Sequence, residues 1–137
     1  MEGLILRPDF ALSTQCFVDA DFAGAWDKED CTDPSSVYSH TGYVIMYTRC
    51  PILWVSRLQT EVELSTMEAE YIALSQAMRD LIPFMNLVND VSQILNIKYN
   101  SPKVQYKSTQ PTSNVTADLY EDNSGALELA KVPKMRP

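Results

Sequence analysis

At Ser65 the hydrophobic period of the chain changes from that of strands to that of a helix, and this change constrains the fold more than any other feature. Upstream, "TGYVIMYT" (41–48) and "PILWVS" (51–56) are short runs dense in β-branched and aromatic residues. They meet across Arg49, Cys50 and Pro51 and read as a hairpin, with Tyr43 and Trp54 in its core. Downstream, Tyr71, Leu74, Met78 and Ile82 recur at helical spacing, with the small Ala69, Ala73 and Ala77 beside them. Pro83 lacks an amide donor and is expected to kink or end this helix. Phe84, Leu87, Val88, Val91 and Leu95 then continue an apolar stripe.

The flanks complete the order. "TQCFVDADFAG" (14–24) reads as a strand that ends among its acidic residues, and 25–36 as a solvated loop without the oxygen spacing or central Gly of an EF-hand. "VTADLY" (115–120) reads as a strand, followed by three N-cap types, Asp122, Asn123 and Ser124, and a short helix through Leu127, Ala130 and Lys131. Between the long helix and this strand, 98–114 is polar and holds two prolines, as an extended loop does. The succession is strand, strand, strand, helix, strand, helix, a mixed α/β order with no internal repeat. At 137 residues it makes one domain.

Three acids stand at the ends of these elements: Asp19 late in the first strand, Glu68 or Glu70 at the start of the long helix, and Asp122 after the fourth strand. Carboxylates gathered from separate elements repel one another, and a pair of hard divalent cations such as magnesium removes that cost, two such ions about 3.5–4 Å apart being able to activate a water and stabilise the leaving oxygen of a phosphodiester. Each acid also has a structural explanation, Asp19 as a turn residue and Asp122 as an N-cap. Ser65-Thr66-Met67-Glu68 is a capping box, which occupies Glu68. Glu70, about 200° further round the helix, is aimed at the sheet and has no local task. A carboxylate aimed at a sheet requires a metal or a partner.

The net charge of −7 excludes broad electrostatic attraction to phosphate, so any nucleic-acid role is local or metal-mediated. Lys131, Lys134 and Arg136 form the one basic cluster. Cys16, Cys31 and Cys50 cannot all pair within one chain and form no C-x-x-C, which points to a reducing intracellular compartment, cytoplasmic or nuclear. No apolar run approaches the length of a membrane span. The lone His40 reads as a turn or hairpin-edge residue rather than a proton shuttle.

"CFVDADFAG", "SHTGYVIMY", "CPILWVSRLQTEVELSTMEAEYIALSQAMRDLIPFMNLV" and "LYEDNSGALELAKVPKMRP" together resemble the ribonuclease H domain of copia-type retrotransposon polyproteins. The resemblance implies a ribonuclease H-like fold, a mixed sheet with three antiparallel strands and a fourth parallel to the first, helices lying on its faces. It implies hydrolysis of the RNA strand of an RNA–DNA hybrid with Mg2+ or Mn2+, leaving a 3′-hydroxyl and a 5′-phosphate. It places the family's catalytic, metal-binding acids on Asp19, Glu70 and Asp122, with Asp21 and Glu68 beside those positions. Residues 1–13 resemble the connector from a reverse transcriptase domain of the same polyprotein, an expected partner. Residues 14–137 resemble a C-terminally truncated ribonuclease H domain in which 98–114 is an insertion and His40 replaces an expected Arg. The implied fifth strand, last helix and fourth carboxylate are missing. Their loss predicts an unpaired edge on the fourth strand, through which copies self-associate. It also gives the alternative to an enzyme, a non-catalytic retroelement remnant.

Overall fold

The computed structural model describes residues 3, 5–9, 13–26, 32–97 and 116–131. The expected insertion 98–114, Cys31, Lys134 and Arg136 lie outside the described residues. Four strands, β1 (Thr14–Asp21), β2 (His40–Tyr47), β3 (Cys50–Leu58) and β4 (Ala117–Tyr120), form one sheet in the order β3-β2-β1-β4. The first three are antiparallel neighbours, and β4 runs parallel to β1, with Phe17 opposite Tyr120. Two α-helices, α1 (Thr66–Ile94) and α2 (Ser124–Lys131), complete the mixed α/β architecture, and a 3-10 turn over Pro34–Val37 interrupts the stretch read as loop.

The β2–β3 hairpin is tighter than the sequence suggested. Its turn is Thr48-Arg49, both left-handed, at φ 51° and 64°, which is the backbone sense that matches two-residue hairpin turns to strand twist. Pro51 therefore sits inside β3, where the outer position of that strand tolerates a missing amide donor. A register shift between Ile45 and Met46 absorbs Ile52. The segment before β1 is tied to the same corner, because Asp9 N donates to Thr48 O and Thr48 N donates to Ser13 O.

Alternation along β1 buries Thr14, Cys16 and Val18 beneath α1 and leaves Phe17 and Asp19 exposed on the opposite parity. The core joins Cys16, Val18, Tyr43 and Ile45 of the sheet to Ala73, Leu74, Ala77 and Leu81 of α1 and Ala126 of α2. Small alanines bring the helix close to the sheet. They, rather than the larger residues beside them, define the buried stripe: Tyr71 and Ile82 are 42% and 49% exposed. Tyr43 lies in the core as expected, donating its hydroxyl to Asp80 Oδ2 at 2.5 Å, and burial together with Asp80 pushes its pKa up to about 12. Trp54 does not. It is 71% exposed, because Leu53 and Val55 take the inward parity of β3.

Pro83 does not end the helix; α1 continues through it for 29 residues. Pro83 and Arg79, the residue four positions earlier whose carbonyl loses its donor, are both exposed, so that carbonyl is not left in the core. Leu87, Val91 and Leu95 are correspondingly exposed, and only Val88 of the later stripe is buried. His40 opens β2 and is exposed, as expected of an edge histidine. Cys16 and Cys50 are buried free thiols. Among the described residues no helix is long and apolar enough to cross a membrane.

Candidate metal centre

Two helix starts decide which acids are free for chemistry. At α1, Ser65 Oγ accepts from Glu68 N at 3.2 Å, and Glu68 Oε2 accepts from Leu64 N at 2.9 Å. The capping box forms, but its return arm reaches the amide of Leu64 rather than that of Ser65. At α2, the cap is Asn123, whose Oδ1 accepts from Ala126 N at 3.0 Å while its carbonyl accepts from Leu127 N at 3.1 Å. Asp122 is released from the capping role. Both helix starts thus carry a cap and a nearby acid that does not cap, Glu70 two positions after Glu68 and Asp122 immediately before Asn123.

Those acids converge. Asp19 from the end of β1, Glu70 from α1 and Asp122 from the β4–α2 junction each place a carboxylate oxygen within 4.8 Å of the others. Asp19 and Asp122 are exposed, whereas Glu70 is only 6% exposed. Ala20 N donates to the Glu70 carboxylate, and its Oε2 is fully buried with no hydrogen-bond partner. Burial, followed by the charges of Glu121, Asp19 and Asp122, pushes Glu70 up to about 7. Asp21 turns away from this group and lies over Gly24, where an added Cβ would come within 2.0 Å of its carboxylate.

The donor set fits a hard divalent cation. Three carboxylates offer oxygen ligands only, and the orphaned Glu70 oxygen is the kind of buried acceptor that a cation satisfies. Glu68 stays outside the group, so Glu68→Gln is expected to lower stability by about 0.3–1 kcal/mol through the helix terminus while leaving any Mg2+-induced rise in melting temperature intact. Thermal melts with and without MgCl2 check both halves.

Over 131 residues, 96% of this chain, the retrovirus-related Pol polyprotein from transposon RE1 of Arabidopsis thaliana is 31% identical. The corresponding polyprotein from transposon RE2 of the same plant is 30% identical over 131 residues. Its homologues are retrovirus-related Pol polyproteins. A third, from transposon TNT 1-94 of Nicotiana tabacum, is 39% identical over 66 residues, 48% of this chain. The chain spans 7% of the length of each Arabidopsis polyprotein and 4% of the tobacco one. No family model matches the chain, and no solved structure matches it.

One acid beside these three escaped the sequence reading. Glu121, immediately before Asp122, is half-buried, and its carboxyl is raised by burial and by the charges of Asp122 and Asp19, opposed by the amide of Asn123. Its signal was parity: Ala117 and Leu119 pack against the core, and Glu121 continues that alternation.

Proposed function

We propose that this chain is the ribonuclease H-like region of a copia-type Pol polyprotein and hydrolyses the RNA strand of RNA–DNA hybrids with Mg2+ or Mn2+. The observation that carries the reading is the meeting of Asp19, Glu70 and Asp122 from three separate elements within 4.8 Å. The homology to Pol polyproteins supports the setting, in which other domains of the same polyprotein, a reverse transcriptase among them, are the expected partners.

A divalent cation bound here would supply a Lewis acid for the phosphodiester oxygens and lower the pKa of attacking water. The chain's own residues divide the remaining work. Asp19 and Asp122 present exposed carboxylates on the solvent side, where a phosphodiester approaches. Glu70 holds its position from the helix side, fixed by the Ala20 amide and screened from water by burial. The local negative charge repels a bare phosphate, which makes cleavage dependent on the cation and sensitive to its concentration. Discrimination of RNA from DNA rests on the 2′-hydroxyl of the strand laid against the site.

A non-catalytic remnant with the same fold is the second reading, and one observation favours it: among the described residues the group of converging acids holds three carboxylates, Asp19, Glu70 and Asp122, and no fourth. In either reading the outer edge of β4, which pairs with β1 alone among the described residues, is the proposed route of self-association. A gel assay on a hybrid with labelled RNA separates the readings. The enzyme yields RNA fragments ending in 3′-hydroxyls, in the presence of Mg2+ or Mn2+ only; intact RNA after incubation with a chain folded by circular dichroism decides for the remnant.

A further inference from the structure

We infer that the C-terminal end of α1 docks against the same helix of a second copy of this chain, the two running antiparallel and meeting through Leu87, Val91, Ile94 and Leu95. This surface is separate from the metal centre and from the edge of β4.

The helix outruns its own core. The residues of α1 that join the core lie between Ala73 and Met85, yet the helix continues to Ile94, roughly 13 Å further at 1.5 Å per residue. At about 100° per residue, these last turns carry a continuous apolar arc of about 140°, from Ile94 through Leu87 and Val91 to Val88 and Leu81. Only one flank of that arc is covered. Leu81 is 2% exposed and Val88 9%, whereas Leu87, Ile94 and Leu95 are 59%, 82% and 62% exposed. The uncovered flank, Leu87, Val91 and Ile94, has the alternating four- and three-residue spacing by which two helices pair.

Charge selects the occupant. With a net charge of −7, two copies repel wherever their acids face one another. From Leu81 to Ile97 the one charged residue is Asp90, which lies about 100° round the helix from Val91 and clear of the stripe. Two copies therefore meet here without opposing charges. The aromatic face of the sheet does not offer this, because Phe17 and Tyr120 stand beside the exposed Asp19 and Asp118 on the same parity. An uncharged stripe attracts neither sign, and a two-fold axis matches it to itself. With that axis at Val91, Val91 meets its own copy and Leu87 meets the second copy's Leu95, each four positions from the centre.

The test is sedimentation velocity of the full chain in EDTA, which removes metal as a bridge, at about 5 to 200 μM. Three chains are compared: wild type, the double variant Leu87→Lys with Val91→Lys, and the control Ile82→Lys, exposed like them but about 180° round the helix from Val91. Lys is a good helix former and is favoured near a helix C-terminus, so all three are expected to share one circular dichroism spectrum. The expected result is concentration-dependent dimerisation of wild type and Ile82→Lys, weakened at least about tenfold in the double variant. If the double variant fails to fold, Ile94→Ser, at the most exposed of the four positions, is expected to weaken the dimer at least about threefold. A wild type that stays monomeric at every concentration overturns the inference. A folded double variant that dimerises as tightly as wild type overturns it too, and assigns association to another surface such as the β4 edge. Either result leaves the metal centre standing.

Discussion

Glu70→Gln is expected to lower hybrid cleavage at least about a hundredfold and, in the absence of metal, to make the chain more stable at pH 8. The two effects have one cause. Glu70 is a buried carboxylate surrounded by Glu121, Asp19 and Asp122, and Gln keeps an oxygen for the Ala20 amide while removing the charge that those neighbours oppose. A residue held only for structure gives the opposite stability result, because substituting it removes contacts and offers no relief of repulsion. Melting curves with EDTA and with MgCl2 read both effects: the variant melts above wild type in EDTA and gains little from Mg2+, while wild type gains strongly.

The second large effect is on pH. Glu70 titrates near 7 in the folded chain and has an ordinary value of 4.5. Between these values the unfolded chain has released the proton and the folded chain retains it, so stability in EDTA falls as pH rises from about 4.5 to about 7 and levels off above. The loss is on the order of 2–4 kcal/mol for a carboxyl as buried as this one. Saturating Mg2+ binds the charged form, so it reverses the slope: the stabilisation by metal grows through the same window, and binding releases a proton there. Urea melts at pH 5, 6, 7 and 8 with EDTA or MgCl2 measure both slopes. In EDTA, Glu70→Gln flattens the part of the profile due to this group.

Much of this centre was legible in the sequence because capping has a local grammar. Ser65 three residues before Glu68 assigned that acid to the helix start and left Glu70 unexplained, and the structure places Glu70 under the sheet's end. The same grammar was ambiguous after β4, where Asp122, Asn123 and Ser124 are all N-cap types. The hydrogen bonds from Ala126 N and Leu127 N to Asn123 separate them. Glu121 stayed hidden because the strand reading stopped at Tyr120, and one residue of strand parity decides whether an acid joins Glu70 or points to solvent.

The succession of strands and helices along the chain followed from periodicity, yet several burial assignments did not. In "PILWVS" both parities are apolar, so alternation cannot say whether Leu53 or Trp54 faces inward. Along α1 the alanines at 69, 73 and 77 and the larger Tyr71 and Ile82 offered two overlapping stripes. Close helix–sheet approach selected the small ones. Pro83 broke a local rule without breaking the helix, because Arg79, whose carbonyl it leaves without a donor, is exposed.

The central claim, that Asp19, Glu70 and Asp122 act together through a metal on nucleic acid, is tested most directly by Asp122→Asn. Asn123 caps α2 in its place, so the variant is expected to fold as wild type does. Wild type and variant are incubated with a labelled RNA–DNA hybrid and Mg2+. The account predicts cleavage by the wild type and loss of cleavage by a variant whose circular dichroism and EDTA melting are undiminished. Equal cleavage by the two chains would contradict it.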